Sequence, residues 1–371
     1  MNIFPFNLEP SLCFYVVVYV LTLVLHAIFM TYVLAGSIYL AWASMFPGKT
    51  AIVRARSPLA EVLRDWMPFA LSAAITAGVA PLLFVQIIYR QEFYTSNLLL
   101  GWRWMMVVPV LIVGFYLLYV VKSKLISQWS LAARGAVTVG VAGCFLFVAF
   151  CWTANHLLGI DAARWPDVYA TGAVVSSVVS LASRLMMWVS GAFPVMCMLA
   201  LWQLVYYRRR ATDVASVDRQ HSGPQFVSEI RVLARMGLGG LALSLMFATG
   251  YAFTLDAQIR GEFISDGIVW APFLVVGGVF QATGWFRLLK SEGDSFAIRV
   301  LISVGCLSML VAVGFLREML RISKVDLTVV NASVKAAAGV GGFELFVGFT
   351  ILNIGLMAYC IRLVNRRTTG E

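Results

Sequence analysis

Apolar runs of about eighteen residues or more recur from one end of this 371-residue chain to the other, each bounded by a short polar stretch. As a helix rising 1.5 Å per residue, such a run covers the ~30 Å hydrocarbon core of a bilayer. Inside lipid every backbone N–H and C=O needs a partner within the protein, so only helices and closed barrels can cross. Barrel strands read as short alternating segments, whereas these runs are continuous, which selects helices. The charge content agrees, since 12% of the residues are charged against about 25% in soluble domains. The chain reads as an all-α polytopic membrane protein.

Nine spans are expected, at 12–44, 66–89, 102–121, 134–158, 174–206, 234–256, 268–289, 298–316 and 342–363. Together they form a single transmembrane domain over 1–371, with no internal repeat and no soluble domain. The longest polar link is RRRATDVASVDRQHSGPQ, at 208–225. The opening MNIFPFNLEPSL has neither a basic segment nor a small-residue cleavage site, so no cleaved signal peptide is expected. Of the 28 Lys and Arg residues, nineteen fall on one side of the nine spans and eight on the other, with Arg184 inside the fifth. Positive charge is retained in the cytoplasm. The N-terminus is therefore expected on the periplasmic side and the C-terminus on the cytoplasmic side of a bacterial inner membrane. The net charge of +10 is explained by these loops and calls for no nucleic-acid partner. Membrane lipid is the surrounding partner.

The six cysteines, Cys13, Cys144, Cys151, Cys197, Cys306 and Cys360, all lie in apolar runs without a C-x-x-C or C-x-x-C-H spacing. That pattern predicts buried thiols, with no zinc site and no covalent haem c.

Few ionisable residues lie within the spans, and each needs an account. His26 sits about 14 residues into the first span, or ~21 Å along a helix. It serves either as a metal ligand or as a neutral imidazole bonded to a neighbouring helix. His156 ends the fourth span, two or three residues from the same face, where an interfacial contact is the simpler account and a cofactor contact the alternative. Arg184 lies in SLASRLMMWVSG and requires an anion, or a path to lipid phosphate by snorkelling. In FLREMLRISK, Glu318 and Arg321 are three residues apart and can pair on one helical face. Such a carboxylate could ligate iron, or it could simply finish a helix at the membrane boundary.

Four stretches carry a resemblance to a known family. They are His26 with Gly36 ten residues on, Trp66 followed by Gly78-Val79-Ala80, FCWTAN closing the fourth span, and FLREMLR followed by VVNASVKAAAGVGGFELFVGFTILNIGLMAYCIRLV. Their order resembles subunit I of cytochrome bd-type quinol oxidases, as a divergent relative. The resemblance implies nine spans with the N-terminus outside. It also implies that His26 falls on the axial ligand of a high-spin haem, and Glu318 on the carboxylate ligand of a haem b, with Arg321 beside it. The haem b groups would lie near the periplasmic face. His156 and Arg184 are candidate cofactor-contacting residues there.

The chain departs from that family where Ala182 or Ser183 replaces the low-spin haem histidine. The seventh span lacks methionine, the third lacks its paired glutamates, and the quinol loop is reduced to DAQIRGEFISDGIVW. The expectation is a non-oxidase, bd-like membrane subunit of an electron-transfer complex. Its partners would be other membrane subunits, among them a second bd-like subunit, or a periplasmic c-type cytochrome; quinol is left open. A haem-free structural or assembly subunit of a membrane respiratory complex is the second expectation. A transporter ranks last, because no inverted repeat or broken helix pair is visible.

Overall fold

The structure is a computed structural model. It describes residues 8–45, 57–123, 126, 128–175, 177–214, 223–290 and 295–338, with a few single positions between 347 and 359. Among the described residues every regular element is a helix. In chain order these are α1 (Pro10–Met45), α2 (Pro58–Ile88), α3 (Arg90–Leu100), α4 (Trp102–Met105), α5 (Val107–Lys122), α6 (Leu131–Gly159), α7 (Trp165–Thr171), α8 (Val178–Val214), α9 (Gly223–Phe253), α10 (Ala257–Gly267), α11 (Ala271–Lys290), α12 (Phe296–Ile322) and α13 (Leu327–Ala338). Among the described residues eight helices are long and apolar enough to span a membrane: α1, α2, α4 together with α5, α6, α8, α9, α11 and α12. They correspond to the first eight expected spans. The ninth, at 342–363, falls largely outside the described residues.

The helices overrun the apolar runs. α2 begins at Pro58, eight residues before the expected start, because Ser57 caps its first turn through a side-chain bond from Ala60 N–H and Pro58 fits the first helical position. α12 runs on to Ile322 rather than stopping at 316, so Arg317, Glu318 and Arg321 lie within the helix. The stretch 256–270, read from the sequence as a bare shortened loop, contains α10. Among the described residues five cysteines are free thiols; Cys151, Cys197 and Cys306 are buried as expected, whereas Cys13 and Cys144 are only half-buried.

Successive spans alternate in direction, so one end of the bundle gathers the start of α1, the end of α2, the end of α6, the start of α8, and the ends of α9 and α12. Tertiary bonds between those termini confirm it. Tyr19 meets Arg317, His156 meets Arg321, and Arg184 meets Tyr251. α1 runs through the middle and packs on α2, α6, α8 and α12.

Close packing along α11 and α12 rests on missing side chains. A Cβ on Gly305 would lie 2.7 Å from the carbonyl oxygen of Gly277. Gly237 is similarly pressed on the fully buried Trp285 ring, at 2.6 Å. Small residues that let backbones approach are the usual glue of membrane helices, which gain nothing from hydrophobic transfer between lipid and protein. Gly305→Val should therefore lower stability by about 1–3 kcal/mol, because the obstacle is backbone. Gly278→Ala, whose Cβ meets nothing within 4 Å, should leave it unchanged. Thermal unfolding in detergent compares the two.

Candidate functional site

The end of the bundle defined above holds a buried polar cluster. α12 contributes Arg317, Glu318 and Arg321, spaced so that Glu318 and Arg321 share a face. Glu318 is 1% exposed. Its Oε1 accepts a hydrogen bond from Arg317 Nη1 at 2.5 Å, and its Oε2 lies 3.5 Å from Arg321 Nη1. Arg317 also donates to the hydroxyl of Tyr19 on α1, at 2.9 Å. Arg321 stacks its guanidinium on the ring of Tyr89, just past α2, at 4.5 Å. Two long side chains four residues apart thus reach one carboxylate from either side.

His156, on α6, enters the same network. Arg321 Nη2 lies 2.7 Å from His156 Nδ1. A guanidinium can only donate, so Nδ1 accepts and the neutral ring carries its proton on Nε2. That Nε2–H is buried without a partner. Arg184, on α8, donates to the hydroxyl of Tyr251 at 2.6 Å and lies over the same ring at 4.9 Å. Both of its contacts are with a neutral residue. Arg184, Arg317 and Arg321 are all close enough to His156 to act on it electrostatically. Glu92, on α3, is buried nearby within range of Arg321, and burial pushes its carboxyl above the ordinary range.

Arg317 and Arg321 therefore meet Glu318 directly, and Arg184 lies within electrostatic range of both arginines, in a low-dielectric region. Buried charge of one sign is costly unless matched. Glu318 Oε2, Arg321 Nη1, Tyr89 Oη and His156 Nε2 have no hydrogen-bond partner. The first two face each other at ion-pair distance, which leaves the His156 N–H as the clearest unanswered donor. The cluster as a whole is suited to hold anionic oxygen.

Of the five residues expected from sequence, the structure brings together Glu318, Arg321, His156 and Arg184. His26 stands apart. It lies seven residues beyond Tyr19 on α1, hence on the same face and ~10 Å further along. Its Nδ1 is 2.8 Å from the carbonyl oxygen of Ala74. A carbonyl only accepts, so Nδ1 is protonated and Nε2 keeps its lone pair. The ring lies against Gly78, where a Cβ would come within 2.9 Å of Nδ1. Arg317, Tyr19, Tyr89 and Tyr251 were not expected. Tyrosines near span ends are a general interfacial feature, and only the fold shows these three turned onto arginines.

Comparisons of the chain with protein-family models, with curated proteins and with solved structures gave no match.

The charge imbalance has a measurable consequence. Glu318→Gln leaves two buried guanidiniums opposite a neutral amide and should cost about 3–5 kcal/mol of stability. Arg184→Gln removes excess positive charge and gives up only the Tyr251 contacts, so it should cost no more than about 1–2 kcal/mol. Unfolding of both variants in one detergent tests the order.

Proposed function

We propose that this protein is a non-oxidase membrane subunit of an electron-transfer complex, related to subunit I of cytochrome bd-type quinol oxidases, and that His26 holds the iron of one b-type haem. The observation that carries the reading is the tautomer of His26. An imidazole that ligates iron through one nitrogen usually donates its other N–H to a backbone carbonyl or carboxylate, which fixes the ring and raises its basicity. The Nδ1–H bond to Ala74 and the fit against Gly78 supply that arrangement.

When bound, the haem would supply one-electron chemistry, at a potential set by axial ligand, nearby charge and burial. The protein's own part is to orient His26 and to place positive charge. His26 shares a face of α1 with Tyr19, and Tyr19 opens onto the basic cluster. Arg184 and Arg321 then offer counter-charge to haem carboxylates, and their excess positive charge favours the state with the added electron. Glu318 has one oxygen bonded to Arg317 and the other opposite Arg321. A second, Glu318-bound iron therefore requires Arg321 to give way.

The excess of Lys and Arg at the other end of the spans supports an orientation with the cluster on the periplasmic side of a bacterial inner membrane. Other membrane subunits or a periplasmic c-type cytochrome would exchange electrons there. A second reading, a haem-free structural or assembly subunit, is favoured by one observation. The Glu318 network ties together α1, α6 and α12 with protein groups alone.

Redox difference spectra of the purified chain separate the two. A b-type signal is expected from the native protein, lost in His26→Ala and retained in His221→Ala, which changes the histidine of the polar link at 208–225. Native protein without haem absorbance would leave the structural reading standing and end the first. A signal that survives His26→Ala but disappears in Glu318→Ala would move the iron to the carboxylate.

A further inference from the structure

We propose that the buried polar cluster holds one small monovalent anion, a halide or an oxyanion of similar size, on the Nε2–H of His156 in the field of Arg184. The inference does not depend on the haem reading, since every group it uses belongs to the chain itself.

Charge is the first reason. Arg184 is buried, and its contacts are the hydroxyl and the ring face of Tyr251. The charged side chains that act on it are Arg317 and Arg321, both of its own sign. Among the described residues no carboxylate lies within ion-pair distance of it, and Glu318 is already shared by the other two arginines. Glu92, within range of Arg321, is pushed toward its neutral form by burial and offsets little of the excess. Other acids at this end are committed, Asp256 to Lys324 and Asp167 to Arg164. A guanidinium left unmatched in low dielectric is strongly destabilising, and an anion from solution removes that cost.

Direction is the second reason. Arg321 occupies Nδ1 of His156 at 2.7 Å, so the proton of the neutral ring sits on Nε2. That N–H is buried and has no partner. Arg184, Arg317 and Arg321 all act on this ring. An anion on Nε2 therefore accepts a charge-assisted bond in a field of three positive groups. A water there would answer the hydrogen bond and leave the charge. Size follows from enclosure. His156, Arg184, Glu318 and Arg321 are each 1–5% exposed. Such a setting suits an ion that needs few donors and little room, whereas sulfate or phosphate brings several oxygens that each seek one.

The test compares thermal midpoints of the full chain in chloride, bromide, nitrate and gluconate at equal ionic strength, where general screening is the same. Native protein should gain roughly 2 °C over gluconate for each tenfold rise in the small anion above its dissociation constant. A larger gain in nitrate assigns the site to an oxyanion, a larger gain in chloride or bromide to a halide. His26→Ala should keep the gain even where it has lost a haem signal, which separates this proposal from the haem reading. A gain in His26→Ala alone means that haem carboxylates cover Arg184 in the native chain, and upholds the site. Arg184→Gln removes the unmatched charge and should fold, but should lose the gain; Arg184→Lys, which keeps the charge, should retain most of it. Crystals grown in bromide should show an anomalous peak within hydrogen-bond distance of His156 Nε2. Equal midpoints in all four salts for both native and His26→Ala protein overturn the proposal. So does a gain that persists unchanged in Arg184→Gln, or a water in place of bromide at Nε2.

Discussion

A carboxylate buried among guanidiniums organises one end of this bundle. Moving a guanidinium into low dielectric costs several kcal/mol unless an opposite charge and hydrogen bonds meet it. Glu318 meets Arg317 directly and Arg321 at longer range. The remaining guanidinium surface is met by ring faces and hydroxyls, from Tyr89, Tyr19 and Tyr251. Each partner comes from a different helix, so the electrostatic demand of α12 and α8 fixes where α1, α2, α6 and α9 must end. Membrane helices have no hydrophobic force pulling them together, and polar bonds of this kind, with close glycine contacts, supply register instead.

The glycine contacts and the polar cluster divide the work. Gly277, Gly284 and Gly305 bring α11 and α12 close along their length, and Gly314 brings α12 onto Val20 and Val24 of α1. The last contact lies one turn from Glu318. Backbone approach there is what lets the Arg317 side chain span to Tyr19. At the other pole, where α2 and α6 begin and α5 ends, a cavity is lined by the charged residues Glu61, Arg64, Asp65, Lys122 and Arg134.

Much of this was legible in the sequence, and the physical reason is plain. Transfer of apolar residues into lipid depends on composition over some twenty residues, so eight spans could be read directly. Their ends could not, because a helix stops where caps and tertiary bonds permit rather than where hydrophobicity falls. Ser57 and Pro58 extend α2, and the buried pairs of Arg317 and Arg321 extend α12. The Glu318–Arg321 pairing was readable from three-residue spacing. Arg317 was not, since neighbours on a helix point apart and only its length returns it to the carboxylate. The 165-residue separation between His156 and Arg321 leaves no local trace. Arg184 was expected to find an anion, and its nearest partner is instead the neutral Tyr251.

The two membrane histidines show how a single contact decides what a residue can do. In sequence both are intramembrane imidazoles at different depths, and nothing in their neighbours assigns a tautomer. The structure places a carbonyl against Nδ1 of His26 and a guanidinium against Nδ1 of His156. The carbonyl forces the first nitrogen to donate, which frees an Nε2 lone pair for a metal. The guanidinium forces the second to accept, which turns its Nε2 into a donor aimed at an anion or an acceptor oxygen. His156 would have to lose that Nε2 proton, or be released by Arg321, before it could bind iron. The two rings are thus left as opposites, with a lone pair at Nε2 of His26 and a proton at Nε2 of His156, and the difference follows from the elements that pack on each ring.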